Sequence, residues 1–242
     1  MLSLDRQNAL RRQYRRRHPH WQPATECFAF LVRHNLRSGS RLLDLGCGRG
    51  GLVEQLEHPL ALMFGVDPDL HSLREHRLAL PRVQAISRRL PFPSRSFDLV
   101  YASWLLEHLP RPRTDIAEVA RLLRPGGAFI FITPNARHPL ALLNRLLGRL
   151  GALQGRLVSR LYGRHAADTF PTAYRANDHE TLATLAAAAG LRLETLQAIP
   201  DPTYLAFTPI LFHAAQWFDH RLSPTRQLHL VGLMRKQPQN TN

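Results

Sequence analysis

Two aspartates and four glycines carry the chemistry that is legible first. Asp44 lies inside the short apolar run Arg41–Leu45, two residues before the loop Gly46-Cys47-Gly48-Arg49-Gly50-Gly51. Asp67 closes the next apolar run, Ala61–Val66. Glycines in such a loop let the backbone take positive φ and let a ligand approach the main chain closely. The spacing Gly46-x-Gly48-x-x-Gly51 also satisfies the dinucleotide fingerprint, so the glycines alone do not choose the ligand. Asp44 narrows the choice. A carboxylate facing a pyrophosphate is repelled, whereas one facing an ammonium or a sulfonium is attracted. A carboxylate at the end of a second strand can accept both hydroxyls of a ribose. Taken singly, either aspartate could be turn or cap chemistry; with the glycine loop between them, a binding role is the better reading.

The surrounding pattern predicts the elements that hold these residues. Arg41–Leu45 reads as a first strand and Leu52–Glu57 as a helix stopped by His58 and Pro59. A second strand is expected over Ala61–Val66, a helix over Asp69–Leu80 and a third strand over Arg82–Ile86. After a loop at Pro91–Ser96 comes a fourth strand, Asp98–Ser103, continuously apolar as a parallel strand covered on both faces should be. A helix over Arg113–Leu123 aligns Ile116, Val119, Ala120 and Leu123, and Pro125-Gly126-Gly127 turns into a fifth strand, Ala128–Thr133. This alternation predicts a parallel sheet with right-handed crossovers. Upstream, Ala24–Leu36 reads as a helix. The basic segment Met1–Pro23 reads as a partly ordered helix ending at Pro19, either solvated or folded over the site. Downstream, the 43 residues Pro134–Ala176 are too many for an ordinary connection. Asn177 and Glu180 then open a helix, Asp178–Ala189, ended by Gly190. Leu191–Ile199 is a sixth strand, Pro200–Arg221 a second insertion, and Gln227–Arg235 the last strand.

The ordered runs D-L-G-C-G-R-G, G-V-D-P-D, L-P-F-P-S-R-S-F-D-L-V-Y-A-S, E-H-L-P and L-L-R-P-G-G-A-F-I-F resemble the class I S-adenosylmethionine-dependent methyltransferases. The resemblance covers Arg41 to Thr133, with weaker similarity to Gln197. It implies an α/β, Rossmann-like doubly wound fold with a seven-stranded, mostly parallel sheet. The last strand would be antiparallel and lie between the fifth and sixth. A domain at 41–242 would carry helical cap insertions near 134–176 and 200–225, after an N-terminal helical segment at 1–40. The cofactor implied is S-adenosyl-L-methionine and the product S-adenosyl-L-homocysteine. Asp44 would bind the methionine amino end, Gly46, Cys47 and Gly48 would form the loop beneath it, and Asp67, with Pro68 beside it, would hold the ribose. Many relatives place an acid for the adenine amino group four residues before the Leu of L-P-F. Here that position is Ile86, followed by Ser87, whose hydroxyl could serve instead. Ser103 and Trp104 follow the fourth strand, where the methionine moiety sits, and an aromatic face there could favour a sulfonium. Glu107-His108 is the pair seen in many small-molecule members, including quinone-pathway O-methyltransferases. His108 would then be a general base for a hydroxyl acceptor. His138, Tyr174 and Arg175, with His165 and Asp168, are acceptor-side candidates from the first insertion.

Composition bounds the partners. The 242 residues include 32 Lys+Arg against 18 Asp+Glu, a formal charge of +14. Lys236 is the only lysine. Such a balance suits nucleic acid or an anionic membrane surface, or reflects a codon preference for arginine. The arginines are spread out and no aromatic-plus-basic RNA motif accompanies them, so an RNA methyltransferase is the rival reading and nucleic acid is not the expected partner. A non-catalytic protein of the same fold is another rival, prompted by Ile86. Two cysteines make neither a disulfide framework nor a metal site, and a reducing cytoplasm fits. No spanning helix is expected. Pro139–Tyr162 pairs a leucine stripe with Arg145, Arg149, Arg156 and Arg160, and Tyr204–Phe218 is a second apolar cover. Together they suggest a small, lipophilic acceptor, such as a quinone precursor or isoprenoid lipid, met peripherally at the inner face of a membrane.

Overall fold

The computed structural model describes residues 4–148 and 172–238. His165, Asp168 and the greater part of the helix expected over Pro139–Tyr162 lie outside the described residues. The apolar runs pair as β1 (Leu42–Leu45), β2 (Met63–Asp67), β3 (Arg82–Gln84), β4 (Phe97–Ser103), β5 (Leu123–Pro134), β6 (Leu191–Ile199) and β7 (His229–Lys236). They form one sheet in the order β3-β2-β1-β4-β5-β7-β6. The first five strands are mutually parallel, and β7 is antiparallel to both β5 and β6. The order reverses between β1 and β4. Crevices at the carboxyl ends of strands beside such a reversal are where open α/β sheets take ligands.

Seven helices are described: α1 (Leu4–Arg17), α2 (Ala24–Asn35), α3 (Leu70–Arg74), α4 (Pro112–Leu122), α5 (Pro139–Gly148), α6 (His179–Ala188) and α7 (Pro209–Asp219). Side chains alternate across each strand. Leu99 and Tyr101 of β4 therefore join Phe28 and Val32 of α2 on one face. Val100 and Ala102 join Ile116 and Val119 of α4 and Leu182 of α6 on the other. That double cover explains the unbroken apolar run in β4. Lys236 finishes the layer by donating to Ala120 O at 2.6 Å and Leu123 O at 2.8 Å, which satisfies carbonyls at the end of α4.

Four local expectations are corrected. Leu52–Gln55 is only a 3-10 turn, because Gly51, at φ 155°, and Pro59 leave no length for an α-helix. Ala61 sits in a second such turn, Leu60–Leu62, and β2 starts at Met63. The helix expected over Asp69–Leu80 stops at Arg74. Asp69 caps its start, and the His76 ring then takes the Leu78 amide at 3.1 Å, so side chains replace the helical ladder. Last, β5 begins at Leu123 and carries Pro125-Gly126-Gly127 inside it, with a register shift opposite Phe97 and Leu99.

The N-terminal helix docks on the second insertion. Tyr14 and Trp21 pack with Ala206 and Phe212. Arg11 pairs with Asp201 at 2.8 Å, and Trp21 Nε1 donates to Pro200 O at 2.9 Å. The insertion itself is the turn Pro202–Leu205, α7 and the turn Pro224–Arg226.

Gly232 marks where β7 crosses its neighbours: a Cβ there would press on the Phe131 ring and stand 2.9 Å from Leu196 Cδ1. Gly232→Ala should cost about 1–3 kcal/mol by overpacking. The expected readout is a lower urea midpoint with an unchanged slope.

Candidate active site

The carboxyl ends of β1, β2 and β4 bring Asp44, the glycine loop, Asp67 and Ser103 to one edge of the sheet. Asp44 is 4 % exposed. It stands directly beside Tyr101 in the β1–β4 register, and the Tyr101 hydroxyl donates to its Oδ2 at 2.6 Å. No guanidinium or ammonium faces it among the described residues. Burial pushes its pKa up to about 7; the Tyr101 hydrogen bond opposes this, and the Asp67 charge adds to it. The same carboxylate, with burial, holds the Tyr101 phenol well above its usual range. A buried carboxyl with a neutral donor and no counter-ion is a site short of one positive charge.

The loop beyond it is fixed by β2. Gly46 N and Cys47 N both donate to Val66 O, at 2.8 and 3.0 Å. Gly48 N donates to Asp67 Oδ2 at 2.9 Å, and Asp69 N to Asp67 Oδ1 at 2.8 Å. Asp67 therefore shapes the loop and keeps further lone pairs unused by these two amides. Gly48 has φ 49°, and a Cβ there would meet nothing within 4 Å, so the main chain borders open space. Gly46, at φ 80°, is filled on its other side by Leu105, which a Cβ would approach to 3.2 Å. Cys47 contributes backbone only. Its side chain is buried against Gly65, and burial pushes its thiol pKa far up, so it is packing and not a nucleophile. Pro68 is exposed, and its carbonyl accepts from Gln84 Nε2 at 2.9 Å.

At the adenine position, Ile86 is 42 % exposed and forms an isolated bridge with Arg89. Ser87 is corrected: its hydroxyl donates to Asp115 Oδ1 at 2.6 Å, so its proton is already committed. Trp104 holds φ 56°, a conformation that costs a bulky residue about 1–3 kcal/mol and clusters at functional sites. Its amide donates to Ile132 O at 3.0 Å, and its ring meets that of His229 edge-on with centroids 5.0 Å apart.

The Glu107-His108 pair sits on the 3-10 turn Leu106–His108. Glu107 is structural. Its Oε2 accepts from Thr133 Oγ1 at 3.1 Å, and its carbonyl takes the amides of Ala173 and Tyr174. That ties the exit of β4 to the chain returning from the first insertion. His108 is half-buried beside it. Tyr174 has φ 49°, and Arg175 is exposed with Nη1 on Pro110 O at 2.9 Å. His138 is 2 % exposed, with Nδ1 accepting from Leu140 N at 3.1 Å. The sequence reading missed Tyr101, because strand register is invisible in a single chain, and His229, because one histidine at a strand start carries no pattern.

The comparisons with known proteins agree with this geometry. Residues 43–131 match the methyltransferase domain family. A ubiquinone biosynthesis O-methyltransferase of Nitrosococcus oceani is 33% identical over 133 residues, covering 52% of this chain and 56% of that protein. A fatty-acid O-methyltransferase of Mycolicibacterium smegmatis is 34% identical over 116 residues, 45% of this chain and 42% of its own. The chain thus spans about half the length of the curated relatives it matches. Among solved structures, an S-adenosylmethionine-dependent methyltransferase from Mesorhizobium loti aligns with a TM-score of 0.55 at 19% identity, over 85% of this chain and 96% of that one. With an acid-tipped first strand, a glycine loop held by the second and a seventh strand inserted antiparallel, residues 43–131 form the methyltransferase domain of a class I S-adenosylmethionine-dependent fold.

Proposed function

We propose that the protein transfers a methyl group from S-adenosylmethionine to an oxygen or carbon of a small, lipophilic acceptor. The observation that carries the reading is Asp44, a buried carboxyl without a counter-ion beside an open glycine loop. When bound, S-adenosylmethionine supplies a methyl group on a positively charged sulfur. The protein's work is alignment and exclusion of water, and alignment alone can supply about 7–11 kcal/mol of the barrier. Asp44 would receive the ligand's ammonium, and Asp67 the ribose hydroxyls through the lone pairs its loop contacts leave over. Gly46 and Gly48 would let the backbone lie close, and Ser103 and Trp104 would wall the methionine side. Ile86 and the Ser87 backbone would border adenine. His108 is the candidate base nearest the end of β4, with His138, Tyr174 and Arg175 toward the acceptor.

Two exposed apolar stretches support a lipophilic acceptor collected from a membrane surface. Leu142 and Leu143 of α5 are exposed, as are Ile210, Leu211, Trp217 and Phe218 of α7. Arg221 lies 3.7 Å over the Trp217 ring, a cation beside an apolar stripe. No described helix is long and apolar enough to cross a membrane. Co-sedimentation should place the protein with anionic vesicles but not with neutral ones. Ile210→Ser with Trp217→Ser should return it to the supernatant, and equal partitioning of both proteins would remove the membrane part.

The Asp44 pKa fixes the signs of two further outcomes. It is higher folded than unfolded, so its contribution to stability is complete in acid and is lost as the pH rises through about 7. Ligand-free protein should lose stability over that interval, and Asp44→Asn should flatten the profile in thermal melts. An arriving ammonium favours the charged carboxylate. Binding of S-adenosylmethionine just below neutral pH should therefore release a proton, measurable by calorimetry in buffers of different ionisation enthalpy. Asp44→Asn should weaken binding about tenfold to a hundredfold, the worth of a hydrogen bond between charged groups. Affinity untouched by that substitution would overturn the reading.

A further inference from the structure

Because β7 runs antiparallel, its first residue lies at the edge where the parallel strands end. His229 pairs with Pro134 at the end of β5 and with Ile199 at the end of β6. It is 6 % exposed, and its Nδ1 is buried with no hydrogen-bond partner among the described residues. An orphaned buried nitrogen is costly, and native structures seldom keep one without a reason. The Trp104 ring lies against His229 edge-on, and Tyr204 stands 6.2 Å away between centroids. Leu105, the next residue after Trp104, packs on Gly46. The glycine loop, Leu105, Trp104 and His229 are thus consecutive neighbours along the ends of the strands.

The charges around His229 choose the kind of ligand. Burial lowers its pKa to about 4, with Asp201 opposing and Arg11 and His138 assisting, so the imidazole is neutral. Arg11 is ion-paired to Asp201, which also accepts from the Thr203 amide and hydroxyl. Asp219 faces His138 at 3.8 Å. One guanidinium against two carboxylates leaves the cluster without spare positive charge, so an acceptor carboxylate would be repelled. A neutral hydroxyl can both donate and accept, and it would satisfy the orphan without adding charge. His108, the other candidate base, is already engaged by neighbours.

We propose that His229 Nδ1 receives the hydroxyl of a neutral acceptor and takes its proton as the methyl group is transferred. The inference rests on the methyltransferase reading and names the acceptor side of that site. The acceptor O–H gives its proton to Nδ1, and the oxygen lone pair forms the new O–CH3 bond. The C–S bond breaks with its electron pair left on sulfur, so the sulfonium becomes a neutral thioether. The positive charge reappears on the His229 imidazolium, where Asp201 steadies it until the proton passes to water. The class this describes is a phenol or other neutral alcohol, and a carboxylic acid is excluded.

The test uses the full chain, labelled S-adenosylmethionine, and catechol and octanoate as probes. Catechol should be methylated and octanoate should not. His229→Asn keeps a polar group near Nδ1 but cannot take the proton; it should lower kcat about a hundredfold with KM little changed. His229→Leu should lose catechol binding as well. Both variants should bind S-adenosylhomocysteine like the parent, which also shows that they fold. The parent kcat should stay level as the pH falls through the range where an ordinary histidine titrates, because the ring that Asp201, Arg11, His138, Trp104 and Tyr204 surround is already neutral. Methyl ester formation on octanoate, an unaltered kcat in His229→Asn, or catechol neither bound nor methylated while S-adenosylhomocysteine binds would each overturn the inference and leave the methyltransferase reading standing. Failure to bind S-adenosylhomocysteine at all would overturn both.

Discussion

A carboxyl group buried against a tyrosine, with no cation to meet it among the described residues, is the constraint on which the rest of this structure turns. Asp44 is paid for by the strands around it: β2 and β4 flank β1 on both sides, and α2 closes the face that Tyr101 occupies. Nothing in folding alone favours an acid there, since an apolar residue of similar size would avoid the desolvation cost. On the proposed reading the missing charge would arrive with a ligand, past the open main chain at Gly48. Binding and folding therefore pull in opposite directions at this residue, as they commonly do where function is placed.

Two chemistries lie along the ends of the strands. On one side lie the carboxylates of Asp44 and Asp67 with the backbone amides of the glycine loop. On the other lie two buried histidines, His138 and His229, within aromatic walls from Phe218, Tyr204 and Trp104 itself. The backbone of Trp104 is strained where the chain leaves β4. Its left-handed φ turns the chain just after β4, and its amide stays tied to β5 through Ile132.

Much of this was readable in the sequence, for a physical reason. Apolar runs ending in acids or glycines define strand tips, and a family that reuses one loop geometry must reuse its residue types. The strand tips at Asp44, Gly48 and Asp67 follow from such local signals, whereas the seven-stranded sheet and its antiparallel last strand were implied by the family resemblance. What the sequence hid is long-range. Tyr101 looked like one more apolar strand residue until the β1–β4 register set it against Asp44. Ser87 read as a free hydroxyl until α4 brought Asp115 within 2.6 Å. The helix at Asp69–Leu80 failed because Arg82 and His76 captured the carbonyl and amide of Leu78 that the helical ladder would have used.

The docking of α1 has a consequence for how the chain is made. Arg11 finds Asp201 across 190 positions, and Trp21 finds Pro200 across 179. Contacts of such separation close late, after the entropy of a long loop has been lost. On a ribosome α1 would wait, basic and unsheltered, until the segment carrying Pro200 and Asp201 had been synthesised. The cover over Pro200 and Asp201 would therefore close late, so a growing chain could hold a formed glycine loop while α1 had yet to dock.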